Sequence, residues 1–395
     1  MEKKKILFIS HEASLSGAPI LLLSILKKFK SSAFFDFDIL VLKNGPLYKD
    51  FSVLTENIYL ENNKNVHENF IKRNLNRIET KIYGKKYTLN QRQDLVKKIS
   101  ANHYDLVYGN TIASLEILTE FKKYNIPTAI TIHELSFSLE SIMPKELIVQ
   151  KIKQINYIVC GSKAVGDNLV ENYEVPENKI SIIHAFVQEQ ITINQEKFYL
   201  KQKHEINESE FVIGIASAQE LRKGTDLVPA LVKKILQKEP LLKFKFVNLG
   251  GSENNQMVRC SKLDAKKLGV EDYIIYIEQN QYPNDYINLF DIFLLLSRED
   301  PFPLVMLSAA KLCKPIIAFE KSGGAEEFLD DQSGILVPYL DLDILAEKII
   351  SLLQYPEQMK QLGDKIKSKL TEMYSEEILI HKNIAFLQKI LSDKS

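Results

Sequence analysis

Short apolar runs alternate with longer amphipathic stretches along almost the whole chain. In the first half, runs at 6–10, 37–42, 105–109, 128–133, 156–160 and 180–183 have the length and β-branched content of strands. In the second half the same reading gives strands at 211–216, 244–249, 273–277, 292–296 and 315–319. Helical spacing fills the gaps: Leu227, Leu231 and Ile235 recur on one face with Val228 and Val232 beside them, and 344–353 and 376–391 repeat the pattern. Such strand–helix alternation predicts doubly wound parallel sheets. The polar stretch 188–209 interrupts it, so two domains are expected, with boundaries at 1–190, 191–372 and a terminal helical segment 373–395.

One segment is chemically dense. Ile292 to Leu296 is a buried-strand run, Ser297-Arg298-Glu299-Asp300 an acidic turn, and Pro303 opens a mostly apolar helix through Leu304 and Val305 to Cys313, in which only Ser308 and Lys311 are polar. Pro303 suits the first helical position, because its missing N–H costs nothing there. A helix N-terminus at the C-terminal end of a central strand offers N–H donors to an anion, and Glu299 and Asp300 offer acceptors to hydroxyls. A sugar nucleotide carries both groups.

Other junctions repeat this geometry. After the strand at 211–216, Arg222-Lys223-Gly224 precedes Thr225, which the pattern makes an N-cap with Asp226 in the first turn. Arg222 and Lys223 read either as surface charges or as a diphosphate clamp. After the first strand, Gly17 and Ala18 precede Pro19 and a helix, Gly17 serving a tight turn. His133 ends the strand at 128–133, where a histidine either bonds a nearby carbonyl or faces a ligand; His11, Asn110 and Thr111 occupy comparable strand ends. Gly323-Gly324 opens a further helix toward Glu327.

Ser297-Arg-Glu-Asp-Pro-Phe-Pro-Leu-Val-Met-Leu-x-Ala-Ala, followed by Gly323-Gly324-x-x-Glu327, resembles the retaining glycosyltransferases of family 4 (glycosyl transferases group 1). The resemblance implies an α/β GT-B fold, two Rossmann-like doubly wound parallel-sheet domains facing a central cleft, with the last helix crossing back to the first domain. It implies a nucleotide-sugar donor and a glycan or lipid-linked acceptor in bacterial surface polysaccharide synthesis. By the same resemblance Lys223 contacts the diphosphate, with Arg222 standing in for an arginine that the family often carries at the position of Ala218. Asp300 orients sugar hydroxyls, His133 donates to one of them, and Gly17, Ala18, Gly224, Pro303, Leu304, Val305, Gly323, Gly324 and Glu327 line the donor site. The family's two acidic residues are separated by seven others; the second position is Ser308, where Glu would hold the ribose. No metal or other cofactor is implied. A non-catalytic sugar-nucleotide-binding protein and a GT-B-type epimerase are the rival readings.

Composition narrows the field. Fifty-one basic and 51 acidic residues cancel, giving no case for nucleic acid. Three widely spaced cysteines (Cys160, Cys260, Cys313) form no metal pattern and fit a reducing compartment. His11 and Glu12 cut short the apolar run that a signal peptide needs, and no run approaches the roughly 20 apolar residues of a membrane span, so a soluble, cytoplasmic protein is expected. The stretch 64–101 is basic (Lys72, Arg73, Arg77, Lys81, Lys85, Lys86, Arg92, Lys97, Lys98). It reads as a solvated helix pair or as a patch for anionic lipid at the inner membrane face. Neither the phosphate-loop signature nor a dinucleotide glycine fingerprint occurs.

Overall fold

The computed structural model describes residues 3–32, 34–61, 84–330 and 332–392. The chain divides into two compact units: residues 1–161, 165–183 and 380–395, and residues 162–164 and 184–379.

The first unit is built on a seven-stranded sheet: β1 (Lys5–Ser10), β2 (Asp36–Val41), β3 (Ile58–Leu60), β4 (Leu106–Asn110), β5 (Thr128–Ile132), β6 (Tyr157–Cys160) and β7 (Ile180–Ile182). All pairs are parallel, in the order β3-β2-β1-β4-β5-β6-β7. Ile6, Leu7 and Ile9 of β1 are fully buried, as are Ala129, Ile130 and Ile132 of β5, which is why these runs carry no polar alternation. At the opposite end from the strand C-termini, buried Asp38 is held by Lys5 Nζ at 2.9 Å and by the Tyr104 hydroxyl at 2.6 Å.

The second unit carries six parallel strands: β8 (Phe211–Ala216), β9 (Phe244–Leu249), β10 (Ile274–Ile277), β11 (Ile292–Leu295), β12 (Ile316–Phe319) and β13 (Ile335–Val337). Their order is β10-β9-β8-β11-β12-β13. The helices Val228–Lys238 and Leu342–Gln354 bury Leu231, Val232 and Ile235, and Leu345, Ala346 and Ile349, in one cluster with Ile213, Phe244 and Phe246. In each sheet the order reverses once, between β1 and β4 and between β8 and β11. Ligands of open parallel sheets bind outside the strand C-termini at that reversal.

Several local expectations are corrected. β3 and β13 were not expected; each is a three-residue edge strand, as is β7, which was expected at 180–183. The polar stretch 188–209 lies wholly in the second unit. It folds onto the second unit, with Leu200 and Ile206 buried, the Asn194 amide on Asp285 Oδ1 at 2.8 Å and the Glu189 amide on Glu376 Oε2 at 2.9 Å. Gly17 is the first residue of the helix Gly17–Ser32 and has no positive φ, so it makes no tight turn. Pro303 caps the helix Leu304–Lys311 with an extended ψ of 120° instead of occupying its first turn. Thr225 is not an N-cap: two 3₁₀ turns, Leu221–Lys223 and Thr225–Leu227, precede the helix, and Thr225 Oγ1 is buried with no hydrogen-bond partner among the described residues. In the basic stretch, Lys72, Arg73, Arg77 and Lys81 lie outside the described residues. Arg92 is already paired, with Glu61 and, at 3.1 Å, with Glu116, while Lys97 and Lys98 are exposed in the last turn of the helix Gly84–Ser100.

Gly214 lies mid-strand in β8, opposite Val247 and Phe293, where an added Cβ would stand 2.4 Å from the buried ring of Phe290. Gly214→Ala is therefore expected to cost about 1–3 kcal/mol by overpacking, read as a lower urea midpoint for the second unit; an unchanged midpoint would contradict this packing.

Candidate functional site

In the second unit the loops after β8 and β11 are stitched together at the sheet's reversal. The Arg298 amide donates to the Arg222 carbonyl at 2.7 Å, and Arg222 Nη1 donates to the Glu299 carbonyl at 2.8 Å. Arg298 answers with a two-pronged pair on Asp226, both contacts at 2.8 Å. Gly224 makes the approach possible: its φ is +67°, and a Cβ there would sit 1.8 Å from the Leu296 carbonyl oxygen. The result brings Lys223 Nζ to 2.5 Å from Asp300 Oδ2, a carboxylate oxygen that also accepts from Ser297 Oγ at 3.2 Å. Asp300 is 6% exposed. A lysine ammonium has three donors, so this pair leaves two of them for a ligand.

The loop after β12 joins the same cluster. The Asp300 amide donates to the Ser322 carbonyl at 2.7 Å and the Gly324 amide to the Asp300 carbonyl at 3.0 Å. Gly323 has φ +118°, and a Cβ on Gly324 would stand 1.9 Å from the Pro301 carbonyl oxygen. Pro303, Leu304 and Val305 follow directly, so the first amides of an eight-residue helix belong to this site. Ser308 is half-buried one turn further along, and Leu304, Ser308 and Lys311 share a helical face; Lys311 Nζ donates to the Gln188 carbonyl at 3.1 Å.

Two expected residues are engaged with the protein itself. Arg222 spends donors on the Glu299 carbonyl and on Glu220 at 3.4 Å. Glu327 accepts from His184 Nε2 at 2.9 Å and from the Ala164 amide of the same unit at 2.7 Å, and the His184 ring packs on Phe302 and Tyr374. Burial alone would raise the Glu327 pKa, but the hydrogen bonds from His184 and from the Lys163 and Ala164 amides outweigh it and hold it below the usual range.

Sequence reading missed Arg298, Ser297 and His184 as organising residues, and it missed a buried amide pair. Gln219 Nε2 donates to Asn248 Oδ1 at 2.7 Å, leaving Gln219 Oε1 and Asn248 Nδ2 buried without partners among the described residues. Arg298 and Asp226 are 72 residues apart, so no spacing could reveal their pairing. Of the chain's two Asp-x-Asp triplets, Asp36 and Asp38 lie in β2, and Asp341 and Asp343 follow the C-terminal end of β13 at a helix start, where Asp341 caps the amides of Asp343 and Ile344.

In the first unit a second cluster forms around the β1–β4 reversal. Asn110 Nδ2 donates to the Ala18 carbonyl at 3.0 Å, and Asn110 Oδ1 lies 3.2 Å from His133 Nε2. The Glu134 Oε2 atom accepts from the His133 amide at 2.8 Å and, weakly, from the Ile112 amide at 3.5 Å. Thr111 between them is strained, with φ +86°, and its buried Oγ1 has no partner among the described residues; the same is true of His11 Nδ1. Burial, with His11 adding to it, lowers the His133 pKa to about 4, and burial raises that of Glu134 to about 7.

Models of two families match the chain: Glycosyl transferases group 1 over residues 196–369 and Glycosyltransferase Family 4 over residues 64–190. The chain is 23% identical over 354 residues to N-acetyl-alpha-D-glucosaminyl L-malate synthase of Bacillus anthracis, covering 81% of this chain and 87% of that protein. It is 22% identical over 239 residues to the poly(ribitol-phosphate) alpha-N-acetylglucosaminyltransferase of Staphylococcus aureus, covering 60% of this chain and 45% of that protein, less than half of the relative's length. Among solved structures, Anabaena Alr3699/HepE in complex with UDP and glucose superposes with a TM-score of 0.79 at 17% identity, over 98% of this chain and 100% of that one. No helix among the described residues is long and apolar enough to cross a membrane.

The two shifted groups of the first unit oppose each other in pH. Glu134, raised from 4.5 to about 7, contributes stability that is full below pH 4.5 and is lost as pH rises through 7. His133, lowered from 6.5 to about 4, contributes stability present above pH 6.5 and lost as pH falls toward 4. Each shift is worth at most about 3 kcal/mol, so the two slopes largely offset between them. Glu134→Gln is expected to unmask stability that climbs from pH 4.5 to 6.5, in urea titrations of the first unit across that range. A variant with the wild-type pH dependence would contradict the burial of Glu134.

Proposed function

We propose, starting from the fact that this chain belongs to the glycosyltransferases of family 4 (group 1), with the GT-B fold, that it transfers a sugar from a nucleotide-diphosphate donor with retention at the anomeric carbon. The observation that carries the reading is the Lys223–Asp300 pair, seated at the β8–β11 reversal beside the helix start at Leu304. Lys223, with Arg222 and the amides near Leu304 and Val305, takes the diphosphate, and Asp300 receives sugar hydroxyls. Departure of the nucleotide develops charge on the leaving phosphate, and prepositioned cations stabilise that charge most in the transition state. The leaving phosphate oxygen takes the acceptor's proton, so no protein general base is assigned. Positive charge comes from side chains, and the proposed reaction uses no metal; activity is expected to persist in EDTA.

A glycan or lipid-linked acceptor in surface polysaccharide synthesis fits a family whose relatives include an enzyme named for poly(ribitol-phosphate), and contact with the inner membrane face belongs to the same proposal. Ser308 favours a second reading, a donor-binding protein without turnover. A hydroxyl there can hold a ribose less firmly than a carboxylate, because hydrogen bonds to charged groups are about twice as strong.

The test is transfer of labelled sugar from UDP-, GDP-, ADP- or dTDP-donors to a lipid extract. Lys223→Ala is expected to lower turnover by roughly 10²–10³, the scale for removing one donor to developing charge. Full activity in that variant would defeat the assignment. Ser308→Glu is expected to tighten donor binding about tenfold, or about 1.4 kcal/mol; an unchanged Kd would show that the ribose is held elsewhere.

A further inference from the structure

The imidazole of His133 is held in one orientation by a chain of donors and acceptors that leaves no choice of proton position. The Ala18 carbonyl can only accept, so the Asn110 amide must turn its Nδ2 toward it, at 3.0 Å. That turn fixes Oδ1 toward His133 Nε2, at 3.2 Å. An amide oxygen can only accept, so Nε2 must carry the proton. In the neutral ring the lone pair then lies on Nδ1, which makes no hydrogen bond among the described residues. The Nδ1 edge is open because residue 161 is glycine: a Cβ there would approach Nδ1 to 3.3 Å.

We propose that Asn110 is a positioning residue that locks His133 as the Nε2–H tautomer, so that His133 Nδ1 accepts a hydrogen bond from a ligand hydroxyl. This rests on the transferase reading for the identity of the hydroxyl, that of a sugar. It reverses the polarity expected from the family resemblance, in which His133 donates. An unprotonated nitrogen also repels phosphate and carboxylate oxygens, so the group received at this edge is a proton donor and not an anion.

The surroundings keep the ring neutral. His11 reaches it from the end of β1, Glu12 and Lys43 act on His11 in turn, and Glu134 bonds the His133 amide instead of the ring. Burial and His11 both disfavour the imidazolium.

The experiment is a long-range ¹H–¹⁵N spectrum of the full chain with ¹⁵N-labelled histidine, His133 being assigned by His133→Gln. The expected result is a single Nε2–H tautomer that does not titrate between about pH 5 and 8. An Nδ1–H tautomer, or protonation near the ordinary histidine value, would overturn the proposal. In Asn110→Ala the lock is gone, so the His133 signals are expected to become those of a tautomer mixture; an unchanged Nε2–H signal would show that something other than Asn110 sets the proton. The wild-type spectrum decides the matter should that variant fold poorly. Because these spectra need no donor or acceptor, an intact tautomer with no sugar transfer would sink the transferase reading alone. A second arm reads activity: Asn110→Ala is expected to lose at least tenfold in kcat with little change in donor KM, and equal losses in both would oppose a role at the ring.

Discussion

The ion pair between Lys223 and Asp300 is the contact that holds the second unit's candidate site together. It joins the loop that follows β8 to the loop that follows β11, 77 residues apart in sequence, at the place where the sheet changes direction. Both groups are largely removed from water, with side-chain exposures of 17% and 8%, so neither would persist there alone without a large desolvation cost. The pair thus holds an ammonium and a carboxylate close together at the end of the sheet, where each offsets the other's loss of water. Arg298 on Asp226 and Arg222 on the Glu299 carbonyl hold the frame around it, and Gly224 permits the contact by having no side chain.

Two strand-end clusters, one per unit, follow the same rule of placement but differ in electrostatic character. Around Lys223 the groups are charged and paired. Around His133 they are pushed toward neutrality by burial, with Glu134 and His133 shifted in opposite directions. A site that must hold a diphosphate needs the first kind of environment; one that must discriminate hydroxyls by hydrogen-bond polarity needs the second. The proposed transfer would give each kind a use, a diphosphate suiting the first and a sugar hydroxyl the second.

Much of this was legible in the chain, because its strands are uniformly apolar and its helices amphipathic. The strands at 211–216 and 244–249 match β8 and β9 residue for residue, and Lys223, Asp300, Gly323 and Gly324 could be named from their place after strands. What could not be read was pairing across long sequence separations. Nothing local distinguishes Arg298, which grips Asp226, from a surface arginine, or announces that Glu327 is taken by His184. Gly17 and Thr225 show the complementary error. Each had the local chemistry of a turn or a cap, yet the helix start moved by a few residues and left it in another role. The orientation of His133 is likewise a tertiary fact, since Ala18, Asn110 and His133 come from three separate segments.

Recognition of the diphosphate by Lys223 is the step the proposed transfer cannot do without, and calorimetric binding tests it most directly. Each of UDP, GDP, ADP and dTDP would be titrated beside its parent nucleoside into the wild type and Lys223→Met. For one base the wild type is expected to prefer the diphosphate by roughly a hundredfold or more, and most of this preference is expected to vanish in the variant while nucleoside affinity stays the same, a hundredfold being about 2.7 kcal/mol. A preference that survives the loss of the ammonium would contradict it.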